Sequence, residues 1–142
     1  MTTPSTPSAQ ATSSPVAAEM TYRPETTCAI TVSDFRAAAS WYEEVLGFQK
    51  LYEVPEMPWG EWATNVPGMT VGLAQPQPGE AIQTSGGAVL TFGVQDIDKA
   101  RGWLESKGVR FTGATEEVAG MVKLATFFDP DGNTFMLAQG LA

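Results

Sequence analysis

An internal repeat constrains this fold most, because two copies of one structural unit must pack together within 142 residues. Val32, Asp34 and Trp41 in the first half recur at the same mutual spacing as Val94, Asp96 and Trp103 in the second. The segment TVGLAQ at 70–75 recurs in the same way as TFMLAQ at 134–139. These matches fall at equivalent places in the two halves, so we expect one domain built from two similar modules.

Each half begins with a strand pattern that leads into a helix pattern. In the first half, alternating apolar residues (Cys28, Ile30, Val32) precede a helix that Ser33 or Asp34 would cap and Gly47 would end. In the second half, Leu90, Phe92 and Val94 precede a helix capped by Asp96 and ended by Gly108. Three further strands are predicted in each half, near 48–54, 59–65, 69–75, 109–115, 121–128 and 133–139. The prediction is an α+β fold with two βαβββ modules, about 26–79 and 86–140.

The N-terminal stretch 1–20 differs in composition from the rest of the chain. Ser, Thr, Pro and Ala dominate it, and the first charged residue is Glu19. Such a segment cannot bury apolar surface, so we predict a disordered tail at 1–20 and a domain at 21–142. Met20 could also be the true start of translation.

The chain has no histidine, which excludes histidine-based nucleophile activation and the commonest metal ligand. The net charge of −8 argues against nucleic acid and anionic membranes as partners. Cys28 is the sole cysteine, so no internal disulfide can form, and no apolar run approaches the length of a membrane span. Without a signal-peptide pattern either, we expect a cytoplasmic protein.

Three motifs together give a family resemblance over about 26–140. They are VSDF at 32–35 with WYEEVLGF at 41–48, VQDIDKA at 94–100 followed by Leu104 and Gly108, and FDPDGN at 128–133. In order and spacing they resemble the glyoxalase / bleomycin-resistance / extradiol-dioxygenase (vicinal oxygen chelate) superfamily. The resemblance implies an eight-stranded open cup with helices outside and small molecules bound inside. It also implies a homodimer, which is typical of the bleomycin-resistance branch.

The family's metalloenzymes bind a divalent metal at four positions that face the cup. By the resemblance these positions are Thr27, Gly72, Val89 and Met136 in this chain. Zinc, iron and manganese sites need imidazole, thiolate or carboxylate donors, which none of the four provides. We therefore predict no metal and no cofactor.

Strand alternation and the family pattern predict a cup wall that is aliphatic and hydroxylic: Thr27, Ala29, Thr31, Gly72, Val89, Thr91, Gly93, Leu124, Thr126 and Met136. Such a wall suits an apolar or aromatic ligand. Trp59 and Trp62 are predicted to form an aromatic platform at the mouth, with a dimer contact or ordinary strand packing as alternatives. Trp41 and Trp103 are expected in the core, and Cys28 is expected as a buried thiol facing the helix.

Glu61 is the sharpest acid–base candidate. Matching Pro67 to Pro130 aligns Glu61 with Leu124, on the cup side, where a carboxylate would have a raised pKa and could act as a general base. A slip of one residue would instead turn Glu61 to solvent and bring Trp62 into the cup.

The leading functional prediction is metal-independent binding of a small apolar or aromatic molecule, for sequestration or resistance. The runner-up is a cofactor-free isomerase or lyase that uses Glu61. A metalloenzyme with displaced ligands such as Glu53, Glu56 or Glu61, and an interaction module with a filled cup, are the remaining alternatives. The sequence does not identify the ligand.

Overall fold

The computed structural model describes residues 14–82 and 87–141, which form eleven elements. In chain order they are α1 (Pro15–Met20), β1 (Thr26–Thr31), α2 (Phe35–Glu44), β2 (Gln49–Val54), β3 (Trp59–Ala63), β4 (Met69–Ala74), β5 (Leu90–Gly93), α3 (Ile97–Ser106), β6 (Glu116–Val118), β7 (Val122–Phe128) and β8 (Thr134–Gly140). The prediction of an α+β fold with two βαβββ modules is confirmed.

The two long helices begin in the same way. Asp34 caps α2 by accepting a hydrogen bond from the backbone N–H of Ala37, and Asp96 caps α3 by accepting one from Lys99. A glutamine at the end of each module adds a second contact at the same end of the helix. Gln75 accepts from the N–H of Phe35, and Gln139 accepts from the N–H of Ile97 in the second module. The repeat seen in the sequence is thus also a repeat of hydrogen bonds.

Each module forms one four-stranded sheet. The strand orders are β1-β4-β3-β2 and β5-β8-β7-β6, and the first strand of each sheet runs parallel to its neighbour. In both sheets the helix covers one face, and the other face is left open, as in the cup that the sequence predicts.

The strand predicted at 109–115 is wrong. The described strand in this place is the three-residue β6, at 116–118, and Phe111 makes only an isolated bridge with Phe127. Backbone hydrogen bonds from Thr112 to Thr126 and from Phe128 to Arg110 still join 110–112 to β7, and the pairing breaks at Gly113, which has a φ of +69°. After this break the guanidinium of Arg101 on α3 donates hydrogen bonds to the carbonyl oxygen of Gly113 and to the hydroxyl of Thr115.

A single core joins the two modules on their helix-covered faces. Its buried strand residues are Ile30, Trp62, Val71 and Leu73 from the first module and Ala125, Phe127, Phe135 and Leu137 from the second. The side chain of Tyr42 on α2 reaches across the boundary, donating a hydrogen bond of 2.7 Å to the buried carboxylate of Asp129. The same carboxylate accepts hydrogen bonds from the backbone of Asp131 and from the backbone and side-chain nitrogens of Asn133.

Of the two helix tryptophans expected in the core, only Trp41 packs there. Trp41 is half-buried and packs against the core, with its ring 5.0 Å from that of Tyr42. Trp103 is 50% exposed, so its predicted core position is wrong. Its indole N–H donates to the carbonyl oxygen of Val45 across the module boundary, and Lys107 lies over its ring. Trp103 therefore covers the seam between the modules.

The N-terminal segment is described only in part. The helix α1 lies at the end of the stretch 1–20, and its described side chains are exposed, while residues 1–13 lie outside the described residues. The separate tail stays a prediction. No helix in the described ranges is long and apolar enough to cross a membrane.

Candidate functional site

The candidate site is the face of the first sheet that α2 does not cover, which we call the open face. Strand register brings together on it Thr27 and Ala29 of β1, Thr70 and Gly72 of β4, Trp59 and Glu61 of β3, and Tyr52 of β2. Residues between them on the same strands, such as Ile30, Val71 and Trp62, point into the core. The alternation predicted for β1 is thus confirmed, and Cys28 packs against the core, where burial raises the pKa of its thiol.

The ring of Trp59 lies directly against Gly72. A Cβ atom at Gly72 would stand only 2.1 Å from Cη2 of the Trp59 ring, so no other residue fits there with the ring in this position. The missing side chain is therefore what allows the indole to lie directly on the sheet. Its N–H donates a 3.2 Å hydrogen bond to the hydroxyl of Tyr52 on the neighbouring strand.

Glu61 is the centre of a hydrogen-bond network on the open face. Its Oε1 accepts from the Tyr52 hydroxyl at 2.8 Å, and its Oε2 accepts from Thr70 at 2.7 Å and from Thr27 at 3.2 Å. The two threonine hydroxyls are themselves 2.7 Å apart. The chain of donors from Trp59 through Tyr52 to Glu61 therefore fixes an aromatic ring and a carboxylate side by side.

The predicted pKa shift of Glu61 is wrong in sign. The hydrogen bond from Thr70, followed by that from Tyr52, lowers the pKa of this carboxyl, with partial desolvation opposing them and Thr27 adding to them. Donated hydrogen bonds stabilise the charged form, which outweighs the effect of burial in this half-open position. Glu61 is thus an ionised hydrogen-bond acceptor near neutral pH, not a carboxyl poised to exchange a proton.

Trp62 does not belong to the site. Its side chain is fully buried on the helix-covered face, with its ring 5.9 Å from that of Phe35 and its N–H donating to Glu43. The predicted pair of tryptophans at the mouth is therefore wrong for Trp62, because neighbouring strand residues at 61 and 62 must face opposite sides. Of the two candidates, the structure leaves Trp59 on the open face.

The register also corrects the alignment of Glu61 with Leu124. Glu61 lies opposite Gly72, whereas the repeat equivalent of Gly72, Met136, lies opposite Thr126. Glu61 is therefore equivalent to Thr126, two positions from the prediction but on the same face. Tyr52 and Thr70 were missed, although the threonine could have been found two residues before Gly72 on the same strand.

The open face of the second sheet carries no charged or aromatic side chain at the positions predicted to bind ligand. Thr91 is exposed, and Leu124, Thr126 and Met136 are half-buried. Val89, one residue before β5, is 40% exposed, and its carbonyl oxygen accepts a hydrogen bond from the Thr91 hydroxyl. Among the predicted ligand positions, the aromatic and carboxylate side chains thus lie on the first module, whereas Phe128 and Glu116, on the same face as Thr126 and Leu124, are outside that set.

Comparison with known proteins decides the family. The model of the Glyoxalase/Bleomycin resistance protein/Dioxygenase superfamily matches residues 26–137, most of the chain. The chain belongs to this superfamily. No curated protein matches it significantly.

Solved structures of the superfamily agree with this assignment. A member from Sphaerobacter thermophilus is 30% identical, with a TM-score of 0.70 over 81% of this chain and 95% of that one. TnmS3, an antibiotic binding protein from a Streptomyces species, is 26% identical, with a TM-score of 0.65 over 82% of this chain and 94% of its own. The fosfomycin resistance protein FosX from Listeria monocytogenes shares the fold at 16% identity and a TM-score of 0.67, covering 81% of this chain and 91% of its own.

The metal of the superfamily's metalloenzymes does not fit the residues that this chain has. The Trp59 ring occupies the space beside Gly72, and the Thr27 hydroxyl bonds to Glu61 and Thr70. The other two positions are an aliphatic side chain and a thioether, which are weak donors. Within 14–82 and 87–141, no three Cys, Asp or Glu side chains are grouped so that they could hold a metal ion.

Proposed function

We propose that this superfamily member binds a small, planar, largely apolar or aromatic molecule without a metal, as a sequestering or resistance protein does. The observation that carries the proposal is Trp59, whose indole lies against Gly72 on the open face and donates a hydrogen bond to Tyr52. An aromatic ring fixed in this way offers a stacking surface with little loss of side-chain freedom on binding. The antibiotic-binding relative TnmS3 supports binding as the general role.

The structure weighs against the runner-up, a cofactor-free isomerase or lyase. A general base needs a pKa near the working pH, whereas the hydroxyl donors around Glu61 lower its pKa. The displaced-ligand alternative is also weakened, because Glu53 forms ion pairs with Lys50 and Arg36 instead of approaching Glu61. The homodimer and the cytoplasmic location stay predictions.

The proposal can be tested with a neutral probe, 2-naphthaleneethanol, which has a planar ring and no charge. Calorimetry would measure its affinity, and ¹⁵N-resolved NMR would follow the indole N–H signals of the four tryptophans during the titration. We expect the Trp59 signal to shift most, because its ring is the proposed stacking surface. Trp41 and Trp62 should shift little, since both pack on the helix-covered side.

A matched pair of variants separates stacking from general surface adsorption. Trp59→Phe reduces the ring area and should weaken binding about three- to tenfold, in line with aromatic stacking of about 0.5–1.5 kcal/mol. Trp103→Phe makes the same change at a half-exposed indole on the module seam and should leave the affinity unchanged. Saturable binding that shifts Trp103 and not Trp59, or no saturable binding at all, would contradict the proposal.

A further inference from the structure

Glu61 gives the open face a charge that no cation within 14–82 and 87–141 balances through an ion pair. Every ion pair in the described ranges lies elsewhere: Arg23 with Glu25, Arg36 and Lys50 with Glu53, and Arg101 with Glu105. The partners of Glu61 are three neutral hydroxyl groups, which keep it ionised but cannot neutralise it. A full negative charge thus remains on a surface that is otherwise apolar, aromatic or hydroxylic.

The carboxylate also retains capacity for one more donor. An ionised carboxylate has about four lone-pair sites, and the hydroxyls of Tyr52, Thr70 and Thr27 use at most three of them, because the two threonine hydroxyls also lie 2.7 Å apart and each has one proton to donate. Oε1 accepts from Tyr52, whereas Oε2 accepts from both threonines. The side of Oε1 is therefore the place where a donor from a ligand can join the network.

Two aromatic rings stand beside this oxygen. The hydroxyl of Tyr52 bonds to Oε1 and accepts from the indole N–H of Trp59, so the two aromatic side chains meet at the carboxylate through their polar edges, and Tyr52 is 47% exposed. A ligand cation bound to Oε1 therefore lies beside two aromatic side chains, whose faces attract cations. A carboxylate in this position is a suitable environment for an alkylammonium group.

We propose that the ligand carries a protonated amine, which binds to Glu61 between Tyr52 and Trp59 while its planar body stacks on the Trp59 indole. This inference rests on the proposed function, because it assigns a charge to the ligand of the same open face. The net charge of −8 on the chain also attracts a cationic ligand.

The test compares three probes with the same naphthalene ring: 2-(2-naphthyl)ethylamine as the cation, 2-naphthaleneethanol as the neutral molecule and 2-naphthylacetate as the anion. For the full-length protein near pH 7 and at low salt, we expect the amine to bind about tenfold more tightly than the alcohol, and the acetate most weakly. Raising sodium chloride to about 0.5 M should reduce this preference, because the Debye length falls below about 5 Å.

Glu61→Gln should reduce the ratio of amine affinity to alcohol affinity about tenfold, since the amine loses its hydrogen bond to a charged group. Glu44→Gln is the matched control, because it removes the same charge from an exposed position on α2, at the far side of the sheet. If Glu44→Gln weakens amine binding as much as Glu61→Gln does, the attraction comes from net charge and the assignment is wrong.

The outcomes distinguish this inference from the proposed function. Equal affinity for amine and alcohol, with the Trp59 signal shifting for both, would overturn the amine assignment and leave stacking on Trp59 intact. Failure of all three probes to bind would overturn both. If Glu61→Gln does not fold, the salt series on the unmodified protein decides, because an amine preference that salt leaves unchanged would overturn the assignment.

Discussion

Replacing Tyr42 with phenylalanine removes one oxygen atom from the contact that joins the two modules. Tyr42 is fully buried and Asp129 is 2% exposed, so water cannot replace the lost donor. A hydrogen bond to a charged group contributes about 1.5–3 kcal/mol, and the carboxylate would keep its three remaining donors. We therefore expect Tyr42→Phe to lower the free energy of unfolding by about 1.5–3 kcal/mol and the melting temperature by about 5–12 °C.

Guanidinium unfolding followed by far-UV circular dichroism would measure this change, and calorimetry would give the melting temperature. Tyr52→Phe is the matched control, because it removes the same atom from an exposed phenol on the open face and should lower stability by less than about 1 kcal/mol. A loss below about 0.5 kcal/mol for Tyr42→Phe would refute the argument that this bond joins the modules. A large loss for Tyr52→Phe would show that the open-face network contributes to stability.

Three further predictions concern the open face. Gly72→Ala should displace the Trp59 ring, since the new Cβ would stand 2.1 Å from it, and near-UV circular dichroism and probe affinity should both change while the fold is retained. The hydrogen bond from Thr70 lowers the pKa of Glu61, so the ionised carboxyl stabilises the folded state above its unfolded pKa, and this stabilisation is lost as the pH falls through the folded pKa. Thr70→Val should therefore raise the pKa of Glu61 in an NMR titration. An unchanged titration midpoint would contradict this. Elemental analysis of protein purified without chelator should find less than one equivalent of zinc, nickel, iron or manganese, and a full equivalent would overturn metal independence.

The module architecture could be predicted well because two independent signals agreed. The repeat determined the order of elements in each half, and strand alternation determined which side chains face the helix. Asp96 was predicted as a helix cap from local chemistry alone, whereas for the first helix Ser33 was an alternative to Asp34 until the structure showed Asp34 accepting from Ala37. A single sequence is therefore sufficient to predict the features that short-range pattern determines.

The wrong predictions concern features that depend on contacts between residues distant in the sequence. The pairing of 110–112 with β7 breaks at Gly113, where the carbonyl oxygen accepts from Arg101 on α3, and strand propensity does not reveal this contact. The pKa of Glu61 depends on hydroxyls from three other strands, so its sign required the register between them. Trp103 was placed in the core by its helical spacing, yet it covers a boundary that exists only when both modules are packed.

Strand alternation also bears on how such a protein can change its specificity over evolution. On β3, Glu61 lies on the open face and its neighbour Trp62 faces the core, so substitutions at one position leave the other's packing untouched. The same separation holds on β4 between Gly72 and Val71. Recognition can therefore diversify along every second position while selection for folding acts on the positions between, so a duplicated module can acquire new ligands without rebuilding its core.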